Sequence, residues 1–461
     1  MNYAVLVDFG STYTKVACVD LKERRIVLTD KFPSTVHVDA EIGLDQCFQA
    51  AKDVIGEEAF QTALKLATSS AAGGLRMAVV GLTEALSIEA GRNASFSAGG
   101  KLMYCQAGKL SEDDVAKLET AGAEILLLCG GYESGNTKLL LHNARMLSES
   151  SLTIPVIFAG NSFVAQTVRM MFSSRGKECF LAENIIPDVG LLNIEPTAEI
   201  IRSLFMNRIT NMKGVGKVKE LMDGPIIPTP ASVLRAGELL CRGTGTEPGI
   251  GSFMMADIGG ATTDIYSYVE NTNFLGAKFV GSPEPFAKRT VEGDMGMRES
   301  SVCLVKEAGA KGFAACCGIT EEMLADAIER RISATAYLAD DDLQRKIDHE
   351  IACHAVRISA RRHAGHVVKE FRGGCRLVQR GKNLTGIKAV IGTGGIIVNE
   401  KDPRSILEQA AVTSAEKDTV LLPGETEFFI DQDYVFFAAG LLRDYDEDAA
   451  LAIMKHSLKA I

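Results

Sequence analysis

The chain has no Cys-x-x-Cys pair, no long basic run and no apolar stretch of 18 residues. Each absence removes a class of protein. Eleven cysteines are present, but apart from the adjacent Cys316 and Cys317 they are scattered. Such a set reads as reduced cytosolic thiols, mostly core, and not as a disulfide framework or a metal cluster. A formal charge of −10 without a basic patch argues against nucleic acid and against an anionic membrane. Without a long apolar run no membrane-spanning helix is expected. The sequence opens in a strand-like segment with no basic leader and no small-residue cleavage site, so a cytoplasmic protein is expected. His349-Glu350-Ile-Ala-Cys-His354 approaches a zinc-protease motif but has one residue too many. On a helix of ~3.6 residues per turn that spacing rotates the second imidazole about 140° from the first, which predicts no metal centre there.

What is present is a repeated pattern. Residues 3–15 read Tyr-Ala-Val-Leu-Val-Asp8-Phe-Gly10-Ser11-Thr12-Tyr-Thr14-Lys15, and residues 253–266 read Phe-Met-Met-Ala-Asp257-Ile-Gly259-Gly260-Ala-Thr262-Thr263-Asp264-Ile-Tyr. Each is an apolar strand, an Asp, a glycine-containing turn rich in hydroxyls, and a second strand. A hairpin of this form gathers backbone N–H groups and hydroxyls at one spot, which suits phosphate. An Asp at the strand end suits hydrated Mg²⁺, which keeps its waters and takes one or two carboxylates. A third segment, Lys-Ala-Val-Ile-Gly392-Thr393-Gly394-Gly395-Ile-Ile-Val, is a buried strand ending in glycines where backbone can approach a ligand closely. Three such turns in this order point to a nucleotide.

At these residues the chain resembles the actin-like ATPase superfamily of sugar kinases, chaperone ATPases and actin. Asp8 to Lys15 resembles its first phosphate motif, Asp257 to Asp264 its second, and Gly392 to Gly395 its adenosine motif. The resemblance implies an α/β fold of two ribonuclease-H-like lobes, with ATP and Mg²⁺ in the cleft between them. It implies that Asp8 and Asp257 orient the metal through its waters. Gly10, Ser11, Thr12, Gly259, Gly260, Thr262 and Thr263 would hold phosphate oxygens. Lys15 would lie near the phosphates as a point charge, and Gly392, Thr393, Gly394 and Gly395 would border the nucleoside. Asp8, Asp257 and Asp264 are the candidates for orienting the attacking water.

A length of 461 residues with 46% apolar content predicts two or three domains with substantial cores. Residues 1–35 read as strand-turn-strand-strand. Residues 50–70 and 82–97 read as helices. From Lys101 to Ala182 strands and helices alternate, which predicts a doubly wound parallel unit inserted at about 99–188. Its Gly130-Gly131 and Gly160-Asn161 fall at the carboxyl ends of strands, where such sheets bind ligands, although tight turns explain them as well. The first lobe is expected over 1–250 and the second over 251–461. Pro228–Leu240 resembles the helix that crosses between lobes ahead of the second phosphate strand. Asn193–Ala198 is a rival for that part, but it lies about sixty residues upstream of Asp257. Residues 434–445, with Ala-Ala-Gly440, resemble the second crossing helix.

Whole segments narrow the resemblance. Arg76-Met-Ala-Val-Val-Gly-Leu, Glu89-Ala-Gly-Arg-Asn-Ala, Gly224-Pro-Ile-Ile-Pro-Thr-Pro-Ala and Thr290-Val-Glu-Gly-Asp-Met-Gly-Met-Arg are similar to the glutamate mutase L family, which accompanies adenosylcobalamin-dependent aminomutases. This implies an ATP-dependent, chaperone-like reactivating factor whose partners are the mutase subunits; an oligomer is possible. A small-molecule kinase and an actin-like assembly protein remain as alternatives. An iron–sulfur activator of radical dehydratases would need a grouped, exposed cysteine set that the sequence lacks.

Overall fold

The computed structural model describes residues 2–10, 13–36, 38–70, 75–133, 135, 137–209, 215–334, 337–370 and 376–461. Ser11 and Thr12 lie outside the described residues. The chain forms two compact units. The first comprises Met1–Ala236, Gly281–Pro285 and Phe436–Ile453, and the second Gly237–Val280, Phe286–Val435 and Met454–Ile461.

The strands of the first unit are β1 (Tyr3–Phe9), β2 (Tyr13–Asp20), β3 (Arg25–Pro33), β4 (Leu64–Ser69), β5 (Leu75–Gly81), β6 (Gly100–Ala107), β7 (Ile125–Gly130), β8 (Val156–Gly160), β9 (Cys179–Leu181) and β10 (Ile227–Pro228). One sheet runs β10-β4-β1-β2-β3. Its first three strands form an antiparallel meander, and β4 and β10 join parallel to β1. Residues 50–70 depart from the helix expected there. A helix over Ala40–Ile55 stops at Gly56, whose φ is 81°, a short turn follows over Glu57–Gln61, and Leu64–Ser69 is the strand β4. Its alternating Leu64 and Leu66 sit deep in the unit, and the parallel pairing to β1 outweighs local helical periodicity.

The second sheet of this unit runs β6-β5-β7-β8-β9 and is parallel throughout. Counted within the sheet the order is 2-1-3-4-5, the doubly wound pattern, with buried apolar clusters on its two faces. The sheet draws on residues from Leu75 onward, so β5 and the helix Glu89–Ser97 belong to it as well. Local signals are clear here. Ser111 opens its helix with a complete capping box to Asp114, and Glu112, Asp113 and Asp114 fill the first turn.

The second unit holds β11 (Phe253–Ile258), β12 (Thr263–Tyr268), β13 (Lys278–Phe279), β14 (Ala287–Glu292), β15 (His366–Glu370), β16 (Arg376–Arg380), β17 (Ala389–Thr393), β18 (Glu427–Asp431) and β19 (Leu458–Ala460). Its main sheet runs β14-β12-β11-β17-β18-β19. Strands β11, β12 and β14 are an antiparallel meander, and β17 and β18 join parallel to β11. Counted within this sheet and within the β10-β4-β1-β2-β3 sheet, the third, second, first, fourth and fifth strands therefore lie side by side in the same directions. This repeated ribonuclease-H-like topology defines the actin-like ATPase fold, with the parallel β5–β9 sheet inserted in the first copy. Among the described residues no helix is long and apolar enough to cross a membrane.

Two helices of the first unit touch with almost no space. Ser232 on Thr229–Arg242 donates its hydroxyl to the carbonyl of Phe437 at 2.7 Å. A Cβ added to Gly440 on Phe436–Leu442 would lie 2.0 Å from the Ser232 carbonyl oxygen. Gly440→Ala is therefore expected to lower unfolding stability by about 1–3 kcal/mol or more, as overpacking against backbone does. Gly245→Ala, where an added Cβ meets nothing within 4 Å, should stay within about 0.5 kcal/mol of wild type. Denaturant unfolding of the two variants checks this; equal stabilities would contradict the helix contact.

Candidate functional site

The β1–β2 and β11–β12 hairpins close with the same bond. The Gly10 N–H donates to the Tyr13 carbonyl at 3.0 Å, and the Gly259 N–H to the Thr262 carbonyl at 2.9 Å. An Asp stands two residues before each glycine, and its cross-strand partner is Lys15 for Asp8 and Asp264 for Asp257.

In the first hairpin Asp8 is buried. Its Oδ1 accepts from Thr68 Oγ1 at 2.9 Å and Thr229 Oγ1 at 2.6 Å, while Lys15 Nζ stands 3.7 Å from Oδ2. Thr68 stands next to the end of β4 and Thr229 opens the helix that follows β10, so three segments far apart in sequence fix this carboxylate. Neither threonine stands out in the sequence, because nothing local marks a partner 60 or 221 residues away.

In the second hairpin two carboxylates face each other across the ladder, an arrangement that repels by itself. Arg289, buried on the neighbouring strand β14, offsets it. Its Nε and Nη2 donate to Asp264 Oδ2 at 3.0 and 2.6 Å. Asp264 is thus a buried ion-pair partner, and its other oxygen, Oδ1, is buried with no hydrogen-bond partner among the described residues. Burial pushes the nearby Tyr266 phenol well above its ordinary value, so it stays a neutral donor to Asp264 Oδ2, at 3.4 Å.

A strap holds this hairpin from one side. Met297 N–H donates to the Gly259 carbonyl at 3.1 Å, Arg298 N–H to Gly260 at 2.8 Å, and Ser300 Oγ to Ala261 at 2.6 Å. In a trans peptide the N–H points opposite to the C=O. The N–H groups of Gly260, Ala261 and Thr262 therefore point away from the strap, together, which is the form of an anion nest. Arg298 is locked in turn. Its guanidinium grips Asp348 at 3.0 and 3.1 Å, and the buried Arg331 holds the same carboxylate at 2.8 Å. In the sequence Thr290–Arg298 stands out only for its family likeness; its work as the brace of the Gly259–Thr262 turn appears only in the hydrogen bonds. Thr263 Oγ1 also joins the brace, donating to the Met295 carbonyl at 2.7 Å.

The third turn adjoins the second hairpin, since Thr393 on β17 pairs with Asp257 on β11. Its glycines differ in purpose. A Cβ on Gly392 would meet Ile397 at 2.7 Å and Leu407 at 2.9 Å, so the protein's own packing demands glycine there. Gly394 has φ of 98°, and a Cβ would lie 2.7 Å from the Ile258 carbonyl oxygen and 3.1 Å from Asp257 Oδ1. A Cβ on Gly395 meets nothing within 4 Å, and one on Gly260 meets only the stem of Arg298, at 3.9 Å. Gly395 and Gly260 are thus the open positions. Thr393 Oγ1 donates to the buried Asp431 Oδ2 at 3.4 Å, a carboxylate that the motifs did not mark.

A model of the MutL protein family matches residues 4–458. The chain is 36% identical to Protein MutL of Clostridium tetanomorphum over 461 residues, 99% of each chain. The chain belongs to the MutL family, the glutamate mutase L proteins. Solved structures match only distantly. The ethanolamine utilization protein EutJ from Carboxydothermus hydrogenoformans is 10% identical, with 98% of this chain and 90% of that one covered at a TM-score of 0.28. Porphyromonas gingivalis acetate kinase is 10% identical over 96% and 99% of the two chains at 0.28, and Bifidobacterium adolescentis xylulose kinase 11% identical over 100% and 95% at 0.31.

Several other sequence features of this MutL-family chain have local explanations. Ser87 fills the point where the strand order of the inserted sheet reverses, between β5 and β7: a Cβ on Gly81 or Gly130 would lie 2.8 or 2.7 Å from its side chain. Asn161 ties the turn after β7, donating to the carbonyls of Tyr132 and Glu133 at 2.6 and 3.0 Å. Both glycine pairs are accounted for by backbone closure. His349 meets Ser405 and His354 stacks on Phe313, so the two imidazoles have separate partners. Burial raises the thiols of Cys18 and Cys47 to about 12, which keeps them protonated.

Burial also lifts the Asp431 carboxyl to about 6, against hydrogen bonds from Ser457, Val435 and Thr393 that favour its ionised form. The folded protein then holds that proton more tightly than the unfolded chain. Its contribution is most favourable below about pH 4 and is lost as pH rises to about 6, on the order of 3 kcal/mol in all. Asp431→Asn cannot ionise, so its melting temperature relative to wild type should rise between pH 4.5 and pH 7.5. Parallel shifts of both proteins would contradict an uncomfortable buried carboxylate.

Proposed function

We propose that this protein is an ATP-dependent, chaperone-like reactivating factor for an adenosylcobalamin-dependent aminomutase such as glutamate mutase. Family membership supports the client, and the paired Asp–Gly hairpins support the nucleotide. The observation that carries most is the braced second hairpin: three N–H groups turned to one side beside a carboxylate pair with one unpartnered oxygen. That donor set suits a triphosphate with a hydrated divalent cation.

In this reading Mg²⁺ neutralises phosphate charge and ATP supplies the anhydride whose hydrolysis drives a cycle. Asp257 and Asp8 accept hydrogen bonds from metal-bound water. The N–H groups of Gly260, Ala261 and Thr262 would donate to phosphate oxygens, with Ser11 and Thr12 acting likewise in the first hairpin, while Gly259 and Gly10 spend their own N–H groups on closing the two turns. Thr263 braces the turn. Lys15 leans toward the phosphates as a point charge. Gly394 and Gly392 keep the third turn in place so that Gly395 and Thr393 can border the nucleoside. The water-orienting group comes from Asp8, Asp257 and Asp264; the Arg289 pairing favours an electrostatic role for Asp264.

A radical mutase that loses its adenosyl group keeps a tightly held, inactive cobalamin. A factor that binds the open mutase better than the closed one shifts that equilibrium by its differential affinity alone. Alternating ATP-bound and ATP-spent states turn one shift into repeated release. The test starts from aminomutase inactivated by turnover or with hydroxocobalamin. Adding this protein, ATP, Mg²⁺ and fresh adenosylcobalamin should restore activity, and a non-hydrolysable analogue should give little sustained recovery. Phosphorylation of a small acceptor, with no effect on any cobalamin mutase tried, would replace this reading with a kinase.

A further inference from the structure

Asp431 is the last residue of β18 and is buried, and its carboxylate collects four bonds. Ser457 Oγ donates to Oδ1 at 2.6 Å. The Val435 N–H reaches both oxygens, at 3.2 and 3.1 Å, and Thr393 Oγ1 donates to Oδ2 at 3.4 Å. Ser457 Oγ in turn accepts from the Asp433 N–H at 2.9 Å. All these residues belong to the second unit.

Their places along the chain give the cluster its meaning. The chain passes from the second unit to the first between Val435 and Phe436, and returns between Ile453 and Met454, inside the helix Glu447–Ser457. Val435 is the last residue before one passage, and Ser457 ends the helix that carries the other. Between Asp431 and Val435 stands Tyr434, a non-glycine residue with φ of 55°. A left-handed conformation is strained for such a residue and persists only where the surroundings hold it. The Asp431–Val435 bonds close the turn over it. The third partner, Thr393, stands in the Gly392–Gly395 turn.

We propose that Asp431 is a positioning residue that links the Gly392–Gly395 turn to two of the chain's passages between the units, those at 435/436 and 453/454, so that nucleotide on the turn is felt at Val435 and Ser457. The inference rests on the nucleotide reading above and adds the route by which that site reaches the rest of the molecule. The Thr393 bond, at 3.4 Å, is the longest of the four and has room to shorten; the Ser457 bond is already short. Movement of Thr393 toward a bound nucleoside is transmitted through one carboxylate to a strained turn and to a helix end. Both respond to loss of a single carboxylate, because each has its hydrogen bond on that group.

Hydrogen exchange of the full chain, with and without ATP and Mg²⁺, tests this in wild type, Ser457→Ala and Asp431→Asn. In wild type, ATP should slow exchange in peptides covering 432–442 and 450–458 by about tenfold, an ordinary size for coupling between sites. Ser457→Ala keeps every nucleotide contact proposed above. It should bind ATP within about threefold of wild type yet lose most of the ATP-dependent slowing at both passages, with hydrolysis reduced in kcat and not in KM. Asp431→Asn should lose the slowing as well. If it fails to fold, Ser457→Ala carries the test alone. Bound ATP with undiminished slowing in Ser457→Ala overturns the linkage while leaving the nucleotide site intact. Failure of wild type to bind ATP overturns the nucleotide reading, and this inference with it.

Discussion

The candidate site depends on a backbone turn whose carbonyls are already engaged. Gly259, Gly260 and Ala261 give their oxygens to Met297, Arg298 and Ser300, and peptide planarity then orients the following N–H groups away from that brace. An unbraced loop would have to order itself around an anion at an entropic cost; this one is set beforehand. The brace is itself anchored. Arg298 is held by Asp348, Asp348 by Arg331, and Arg331 is wholly buried among groups that satisfy it, including Gln344. Breaking such a buried network by removing one partner costs far more than a surface pair does. Rigidity at the turn therefore traces back to side chains that meet no ligand.

Charge balance separates the two hairpins, although their backbones match. Asp8 faces a lysine across its ladder and is held by two threonine hydroxyls. Asp257 faces another carboxylate, which Arg289 engages on one oxygen. The first site is nearly self-sufficient, whereas the second keeps an unpartnered acidic oxygen among the described residues. The two hairpins thus differ in charge although their backbones match, and the proposed magnesium role rests more on the Asp257–Asp264 pair than on Asp8.

Much of this was legible in the sequence, for a physical reason. Strand, Asp, glycine and hydroxyl turn is a local pattern, so the hairpins and the β17 turn announce themselves within a dozen residues. The inserted parallel sheet also showed itself, through alternating strand and helix periods and the capping box at Ser111. Strand β4 did not, because six residues after a helix carry too little periodicity to betray a parallel partner at β1. The threonines around Asp8, the strap over Gly259–Ala261 and the hub at Asp431 were invisible for one shared cause: each joins segments brought together only by the fold. Gly394 shows the limit from the other side. Its sequence context suggests close approach of a ligand, whereas its missing side chain makes room for Ile258 and Asp257.

The proposed nucleotide, with its metal, would rest against Asp257 and the open glycine at 395. Calorimetric titration of ATP, with and without Mg²⁺, into wild type, Asp257→Ala and Gly395→Val addresses it most directly. Wild type should bind with an affinity that rises on adding Mg²⁺. Both variants should stay folded by circular dichroism. Asp257→Ala should lose the dependence on Mg²⁺, and Gly395→Val, whose new side chain meets no protein atom at Cβ, should bind at least about tenfold more weakly. Affinity unchanged by Mg²⁺ in wild type, or ATP bound equally well by both variants, would contradict the site described above.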